Sequence, residues 1–301
     1  MSSAPTSPPP DTDRALPRRF TRRRSKPGTV RIAIALTIVL IYVVAATFGP
    51  WIVGFDYVTT STGDRLLPPG SRLSDGSLAI FGTDQVGQDL FAQTLQGARV
   101  SLSVGVATLL LAGTIGVTVG VLAGYFGGWL DGVLMRVADI QLTFPSILLA
   151  IFIAALLGRS VINVVLVLSI GGWVTFARVT RGQVLATKER EFVDATRTLG
   201  ASAWHLVRHC ILPACTAPVI VVATVDIGSV ILAEASLSFL GLGTPASIPS
   251  WGVTISEGRN YLADAWWIST IPGIALAVLV VSLGVLGDAM RDRFDPTMKS
   301  V

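Results

Sequence analysis

Residues 100–125, VSLSVGVATLLLAGTIGVTVGVLAGY, decide the fold of this chain because they form one long apolar run without a charged side chain. A helix that crosses a membrane needs about 20 such residues, so this run can span a bilayer. Its apolar residues are continuous and do not alternate with polar ones, which favours a helix over a barrel strand. Small residues recur along it at helical spacing and predict that another helix packs closely against it. These residues are Gly113, Gly116, Gly120 and Gly124.

Five further apolar runs continue this pattern along the 301-residue chain, of which 51% is hydrophobic and 14% is charged. The mean hydropathy of +0.66 excludes a disordered protein and disfavours a water-soluble enzyme. The sequence therefore predicts an all-α membrane protein with six transmembrane helices. Pro145 and Pro272 interrupt two of the spans and predict kinks or helix starts there. The five further spans are Val30–Val53, Ile140–Leu157, Val161–Phe176, Ala214–Leu240 and Ile268–Met290.

Basic residues concentrate on one side of the predicted spans. When both termini are placed in the cytoplasm, that side collects most of the Lys and Arg residues. An excess of Lys and Arg marks the cytoplasmic side of short loops, so this asymmetry predicts a multi-pass protein with both termini in the cytoplasm. The few arginines left on the external side are Arg65, Arg72, Arg99, Arg159 and Arg259.

The predicted organisation is a tail followed by one membrane domain. Residues 1–29 are rich in Ser, Pro and Arg and predict a disordered, basic cytoplasmic tail. Beside a membrane span, the partner of such a tail is the anionic lipid leaflet and not nucleic acid. Residues 30–301 form the six-helix domain, with an external loop at 54–99, a cytoplasmic loop at 177–213 and an external loop at 241–267.

Three acidic residues interrupt the apolar runs: Asp139, Asp226 and Glu234. A carboxylate inside a membrane is a candidate proton or sodium site of an ion-coupled transporter. Asp139 is expected at the cytoplasmic edge and Glu234 near the external edge, so only Asp226 lies deep. The chain offers Asp226 no partners for a proton relay, which disfavours that function. Outside the spans, Asp84 and Asp89 are expected to form turns that cap the following helix.

The sequence lacks the motifs of common enzymes. It contains neither G-x-S-x-G nor H-E-x-x-H, and Cys210 and Cys215 are too few for a disulfide scaffold. His205 and His209 could form a zinc site with Cys210, but no fourth ligand lies nearby in the sequence, so we expect no metal and no catalytic residues. None of the three lysines stands in the G-x-x-x-x-G-K-[ST] motif of a nucleotide-binding loop. Any ATP-driven step therefore needs another chain.

The predicted cytoplasmic loop contains two short helices. Residues 190–199, REFVDATRTL, favour a helix that ends at Gly200, because glycine adopts the positive φ of a C-cap at little cost. Ser202 fits the N-cap of a second segment that carries Trp204 and Leu206. Two partly apolar helices of this kind are typical of a docking surface for a soluble protein. The alternative is an ordinary amphipathic connector.

This loop resembles the motif E-A-A-x-x-x-G-x(9)-I-x-L-P of binding-protein-dependent ABC importer permeases. In the order of the motif, the matching positions are Asp194, Ala195, Thr196, Gly200, Cys210, Leu212 and Pro213. Asp194, Thr196 and Cys210 depart from the usual residues, and the spacing is intact. The resemblance implies that the loop docks on an ATPase subunit and couples it to transport. The residues that it assigns to docking and coupling are Asp194, Ala195, Thr196, Leu199, Gly200, Ala201, Trp204, Leu206, Leu212 and Pro213.

Other stretches resemble the C-type permease subunit of dipeptide and oligopeptide importers, with Gln88 where Arg is usual. They are FGTDQVGQDLFAQTLQGARVSL, GYFGGWLDGVLMRVADIQLTFPSILLAI, ILAEASLSFLGLG, PSWG and LGDAMRDRFDP. The likeness implies a type I ABC importer permease architecture in the bacterial plasma (inner) membrane and a subunit without catalysis or cofactors of its own. The implied partners are a second permease of the B type, two ATP-binding subunits that hold ATP and Mg²⁺, and an external substrate-binding protein that delivers peptides.

Three alternatives remain open from the sequence. The same machinery could carry nickel, glutathione or another small peptide-like solute. An ion-coupled secondary transporter that works alone would have Asp226 or Glu234 at its centre. A membrane-embedded enzyme is disfavoured by the missing motifs.

The orientation can be tested with single cysteines introduced after Cys210 and Cys215 have been replaced. We expect Ala201→Cys to react with an impermeant maleimide only from the cytoplasmic side, because its loop carries the basic excess. Ser74→Cys and Ser247→Cys should react only from the outside. External labelling of Ala201→Cys would contradict the predicted orientation.

Overall fold

The computed structural model describes residues 27–52 and 60–294. Most of the predicted tail, residues 1–26, lies outside the described residues, and residues 27–29 belong to the first helix. The α-helices are α1 Pro27–Ile52, α2 Leu90–Phe126, α3 Gly128–Leu142, α4 Ser146–Leu157, α5 Val161–Lys188, α6 Glu191–Thr198, α7 Ala203–Leu206, α8 Leu212–Phe239, α9 Trp251–Gly258 and α10 Trp267–Phe294. Two short antiparallel strands, β1 Ser71–Arg72 and β2 Leu78–Ala79, form a hairpin before α2.

The long helices account for the predicted membrane spans. Within the described residues, α1, α2, α5, α8 and α10 are each long and apolar enough to cross a membrane. α3 and α4 form a pair bent by 88°, which makes a sixth crossing when the pair is taken as one broken span. The protein is therefore a multi-pass, all-α membrane protein, as the sequence predicts.

The third predicted span, Ile140–Leu157, is not a single helix. α3 ends at Leu142, and Pro145 precedes α4 with an extended ψ of 123°. Proline has no N–H for helical hydrogen bonding and disfavours helical geometry in the residue before it, so the chain stops and restarts here. The helix start predicted at Pro145 is confirmed. The apolar pattern runs across this break, so the predicted span Ile140–Leu157 combined parts of two helices.

Two helices extend beyond their predicted bounds. α5 continues to Lys188, so the loop predicted at 177–213 begins only after that residue. α2 begins at Leu90, inside the external loop predicted at 54–99, and Asp89 caps it by accepting a hydrogen bond from the N–H of Phe91 at 3.0 Å. In both cases hydropathy marks only the part of a helix that lies in lipid, whereas the helix itself continues into water.

The loops lie at two opposite ends of the bundle. At one end, the indole N–H of Trp267 donates to the carbonyl of Thr83 at 3.1 Å, which joins the loop before α2 to the start of α10. At the other end, the ammonium group of Lys188 donates to the carbonyl of Gly124 at 3.0 Å and joins the end of α5 to the end of α2. The two loops predicted to be external therefore share one end, and the loop predicted to be cytoplasmic lies at the other.

α2 and α5 approach each other through glycines. A Cβ atom on Gly120 would lie 2.5 Å from the carbonyl oxygen of Ala177, and Cβ atoms on Gly116 and Gly124 would lie 2.4 and 2.8 Å from atoms of α5. Real Cβ atoms do not come closer than 3.0 Å to such neighbours, so only glycine allows this approach. Gly113 has ordinary contact distance, 3.8 Å. The predicted close packing is thus confirmed at the last three glycines of the series.

α3 is fixed to α5 near both of its ends. At the start of α3, the Arg181 guanidinium donates to both carboxylate oxygens of Asp131 at 2.5 and 2.6 Å, a bidentate pair. At the end of α3, Gln141 accepts a hydrogen bond from the indole of Trp173 at 2.7 Å and donates to the carbonyl of Ile170. These contacts hold α3 against α5 immediately before the break. The position from which α4 starts is therefore fixed relative to α5.

We expect Gly120→Val to lower the free energy of unfolding by about 1–3 kcal/mol, because the new side chain overlaps the backbone of α5. Unfolding of the purified protein in mixed micelles, followed by tryptophan fluorescence, measures this change. Gly182→Ala is the matched control, since no described atom lies within 4 Å of a Cβ at that position of α5. It should be neutral or stabilising by up to about 1 kcal/mol, because Ala is the better helix former. Equal stability of the two variants would contradict the close contact.

Candidate functional site

The connection between α5 and α8 begins with α6 and a glycine turn. Gly200 has φ +88°, a conformation that glycine adopts far more easily than other residues. Its N–H donates to the carbonyl of Arg197 at 3.0 Å, and the N–H of Ala201 donates to the carbonyl of Thr196 at 3.3 Å. These two bonds form a Schellman motif and satisfy carbonyls that the end of α6 would otherwise leave free. The predicted C-cap at Gly200 is confirmed.

α7 begins at the predicted N-cap and leads directly into the next membrane helix. The hydroxyl of Ser202 accepts a hydrogen bond from the N–H of His205 at 3.3 Å. One turn of π-helix, Val207–Ile211, follows α7 and joins it to α8. Residues 203–239 thereby form one helix of 37 residues. The segment predicted after Ser202 is thus not separate from the fifth predicted span. It forms the first turns of the same helix.

The inner side of the α6–α7 segment, which we define as residues 191–206, continues into a buried anchor. Val207 and Ile211 pack in a buried cluster with Val121 of α2 and Val184 of α5. Leu206 is also buried, with 1% of its surface exposed. Fully burying an aliphatic side chain of this size contributes roughly 1.5–3 kcal/mol, so these residues fix α7 against the bundle.

The outer side of the same segment exposes large apolar side chains. Phe192 is 48% exposed, Leu199 is 89% exposed and Trp204 is 68% exposed. Asp194 forms an ion pair with Arg197 at 2.9 Å beside them. A set of exposed apolar side chains beside charged ones is typical of a surface that binds another protein.

The ten residues assigned to docking and coupling are divided between these two sides. Those with exposed surfaces are Asp194, Ala195, Leu199, Gly200, Trp204 and Pro213. Thr196, Ala201 and Leu212 are half-buried, and Leu206 faces the interior. Leu206 therefore positions α7 and does not offer a surface to a partner. Phe192 was not among the ten residues, although it precedes Leu199 by two helical turns and is exposed beside the same surface.

Comparison with known proteins places this fold and segment in a family. Residues 116–300 match the family described as "Binding-protein-dependent transport system inner membrane component". The chain belongs to this family. The resemblance of the α6–α7 segment to the permease motif thus agrees with the match over the larger part of the chain.

Relatives and solved structures extend the assignment. The chain is 37% identical to the dipeptide transport system permease protein of Alkalihalophilus pseudofirmus, over 100% of this chain and 97% of that protein. It is 36% identical to the di/tripeptide transport system permease protein of Pseudomonas aeruginosa, over 88% of each. A chain of the inward-facing MetNI methionine ABC transporter matches with a TM-score of 0.56 and 18% identity, over 68% of this chain and 98% of that chain. The predicted architecture of a type I ABC importer permease is confirmed.

The two carboxylates of α8 in this permease have different surroundings. Glu234 of α8 is fully buried, and its oxygens accept hydrogen bonds from the hydroxyls of Ser101 and Ser238, each at 2.8 Å. These bonds offset the cost of burying the carboxyl and join α2 to α8. Asp226 instead lines a cavity between α4, α5 and α8. Ser238 follows Glu234 by one helical turn and was readable from sequence, whereas Ser101 lies 133 residues away.

The remaining polar candidates have local partners. Asp139, expected near Arg136, pairs with Arg178 of α5 at the surface. The rings of His205 and His209 stack on each other with centroids 4.3 Å apart, next to the half-buried Cys210. Among the described residues, no group of three or more His, Cys, Asp or Glu side chains could hold a metal ion. His205 lies in the α6–α7 segment, and His209 lies in the π-helical turn that follows it.

The opposite end of the permease is ordered by a polar cluster. The carboxylate of Asp84 accepts hydrogen bonds from the N–H of Val86 at 2.9 Å and from the side-chain amide of Gln93 at 2.6 Å, which confirms the predicted turn. Gln85 donates to the carboxylate of Glu257 in α9 at 3.2 Å. Burial raises the pKa of Glu257, and the bond from Gln85 opposes that rise. The loop before α2 and the loop after α8 thus form one surface.

The two-sided α6–α7 segment predicts a large loss of stability for one substitution and almost none for another two residues away. Leu206→Ala should lower the free energy of unfolding by about 2–5 kcal/mol, because it leaves a cavity under α7. Trp204→Ala should change it by about 0.5 kcal/mol or less, because its side chain faces solvent. Thermal unfolding of the purified protein measures both. A larger loss in Trp204→Ala than in Leu206→Ala would reverse the assignment of inner and outer sides.

Proposed function

We propose that this chain is the C-type transmembrane permease subunit of an ATP-driven importer. Its substrates are di- and oligopeptides delivered by an external substrate-binding protein. The observation that carries the proposal is the two-sided α6–α7 segment, which is anchored to the bundle and exposes Phe192, Leu199 and Trp204. A permease of this family needs a surface that receives force from a soluble partner, and this segment has the shape and chemistry for it.

ATP hydrolysis is assigned to partner chains. The sequence has no nucleotide-binding loop motif, and Lys188 donates to the carbonyl of Gly124, away from any phosphate-binding turn. We infer that this subunit is non-catalytic and that two ATP-binding subunits hold ATP and Mg²⁺. One of them docks on the α6–α7 segment of this chain, and the other docks on a second permease of the B type.

Force on the docking surface would reach the middle of the membrane through one helix. The continuous helix of residues 203–239 has 37 residues and is about 55 Å long. Trp204 lies at one end of it, and Asp226 lies on its cavity-lining face. α7, the π-helical turn and α8 are continuous, so closure of the ATP-binding subunits tilts α8 and switches the cavity between inward-facing and outward-facing states.

The orientation follows from the charge on the two ends. The end of the bundle that carries the α6–α7 segment also carries Arg178, Arg181, Arg190, Arg197 and Arg208. From the positive-inside rule we infer that this end faces the cytoplasm of a bacterial cell and that both termini lie on the same side of the plasma membrane. The docking surface then faces the compartment that contains ATP.

The peptide substrate is supported by the names of the relatives, two of which are dipeptide and di/tripeptide permeases. The main rival is an ion-coupled transporter centred on Asp226 or Glu234. Both carboxylate oxygens of Glu234 accept hydrogen bonds from serine hydroxyls in the bundle core. This arrangement suits a structural role better than the binding and release of an ion. The same machinery could instead carry nickel, glutathione or a similar solute. Uptake measurements distinguish these substrates from peptides.

The assay is uptake into vesicles that contain this chain, its B-type partner, the ATP-binding subunits and the binding protein. We expect ATP-dependent uptake of labelled alanyl-alanine, stimulation of hydrolysis by loaded binding protein, and no hydrolysis by the isolated chain. Labelled glutathione and Ni²⁺ form parallel arms. Preference for either would replace the peptide assignment. Uptake driven by a proton or sodium gradient without ATP would overturn the proposed function.

Gly200→Val tests whether the glycine turn couples the two activities. A β-branched residue is strained at φ +88° by about 1–3 kcal/mol, so α6 should shift relative to α7. We expect peptide uptake and peptide-stimulated hydrolysis to fall together. Gly200→Asn is the matched control, because Asn tolerates positive φ better and should retain most of both activities.

Recovery of the assembled complex separates this effect from misfolding. If Gly200→Val kept both activities near wild type, the segment would be a connector. If it changed peptide preference with coupling intact, the segment would belong to the substrate path.

A further inference from the structure

One face of α8 lines a cavity of about 430 Å³ between α4, α5 and α8. Asp226, Ser229, Ala233 and Ser236 recur on this face at three- and four-residue spacing. Small-molecule sites in proteins have volumes of about 300–1,000 Å³, so the cavity has the size of a ligand site. It lies within the membrane-spanning part of the bundle.

Asp226 lies near the middle of α8, inside the predicted span Ala214–Leu240. α8 has 28 residues, and Asp226 lies about 20 Å from either end of it at ~1.5 Å per residue. A charged side chain at this depth is costly in lipid and is placed toward a water-filled path or a partner group. The cavity on this face of α8 supplies such a path.

The carboxylate of Asp226 has no hydrogen-bond or ion-pair partner within the described ranges 27–52 and 60–294. Glu234, two helical turns further along α8, shows the opposite arrangement, since both of its oxygens accept hydrogen bonds from serine hydroxyls. Glu234 thus has hydrogen-bond partners within the chain, whereas the carboxylate of Asp226 is free to bind a ligand.

Apart from Asp226, the residues that line the cavity are uncharged, and several of them are glycine, alanine or serine. Gly171 of α5 lines the cavity, and no described atom lies within 4 Å of a Cβ placed on it, so packing does not require glycine there. The hydroxyl of Ser236 donates to the carbonyl of Leu232 at 2.8 Å, which leaves its oxygen free to accept. The cavity therefore offers one negative charge and a hydroxyl acceptor, a set that suits a ligand with N–H donors.

The chemistry of the site selects an ammonium group over a metal ion. Divalent cations in proteins take several oxygen, nitrogen or sulfur ligands, and no described group of three acidic, His or Cys side chains exists here. A single carboxylate is enough for an ammonium group, which donates one hydrogen bond to it and others to nearby hydroxyls or water. The α-amino group of a peptide has a pKa of about 7.7–8.0 and is mostly protonated at neutral pH.

We propose that Asp226 binds the protonated α-amino group of the peptide during its passage and is a specificity-determining residue of the translocation path. This proposal rests on the proposed function. The free carboxylate half-way along α8 then holds the charged end of the substrate between its release by the binding protein and its exit. The serine hydroxyls along the same face accept hydrogen bonds from N–H groups further along the peptide.

The test uses the complete complex in nanodiscs, without ATP and without binding protein. Cys210 and Cys215 are replaced, and Gly171→Cys provides a thiol on the wall opposite α8. The rate of maleimide labelling is measured with increasing alanyl-alanine or N-acetyl-alanyl-alanine. We expect alanyl-alanine to slow labelling and the acetylated peptide, which has no ammonium group, to have little effect.

Variants at Asp226 identify the group responsible. Asp226→Asn should raise the concentration of alanyl-alanine needed for half-protection by about tenfold or more, and Asp226→Glu should retain most of the protection. Asp139→Asn is the matched control, because it removes a carboxylate that lies outside the cavity and pairs with Arg178. Size-exclusion chromatography confirms that each complex is assembled.

Each contrary result overturns the proposal. Equal protection by the two peptides, protection by neither, or unchanged protection in Asp226→Asn would remove the α-amino group from the site. Loss of assembly in Asp226→Asn, with normal protection in the complexes that remain, would show that Asp226 pairs with the second permease. The proposed function is measured separately by ATP-driven uptake in the wild-type complex, so either claim can fail alone.

Discussion

The close contact between the backbones of α2 and α5 is the constraint on which the rest of the bundle depends. Lipid chains are as apolar as leucine, so burial alone does not drive helices together inside a membrane, and close packing must do so. Gly116, Gly120 and Gly124 supply that packing by omitting the side chains that would separate the two helices. The bidentate pair between Asp131 and Arg181 then attaches α3 to the same helix pair.

The two carboxylates of α8, Glu234 and Asp226, have different surroundings. Glu234 takes hydrogen bonds from Ser101 and Ser238 and so links two helices at a point where water does not compete. Asp226 lies on the same helix without such bonds among the described residues, beside a cavity. The difference between the two carboxylates is thus the pair of hydrogen bonds that Glu234 accepts from Ser101 and Ser238.

Much of this architecture was predictable because membranes constrain it so strongly. A spanning helix must make its backbone hydrogen bonds internally, so length and hydropathy were enough to count the spans. The caps at Gly200 and Ser202 were predictable because a cap depends on residues that are close together in the sequence. Pro145 marked the helix start correctly, but the apolar residues around it gave no sign that the two helices meet at 88°. The end of α5 was misplaced because its last turns are polar. The link from Glu234 to Ser101 joins residues far apart in the chain, and no local pattern contains it.

The division of the α6–α7 segment into an inner and an outer side also affects how the protein can evolve. Leu206 is buried against the bundle, whereas Phe192 and Trp204 are exposed, so the residues that maintain the fold differ from those that are available to a partner. In the docking that we propose, a substitution on the outer side changes complementarity to the ATP-binding subunit with little loss of stability. Selection for a new subunit then acts on a few exposed side chains while the helices beneath them keep their packing.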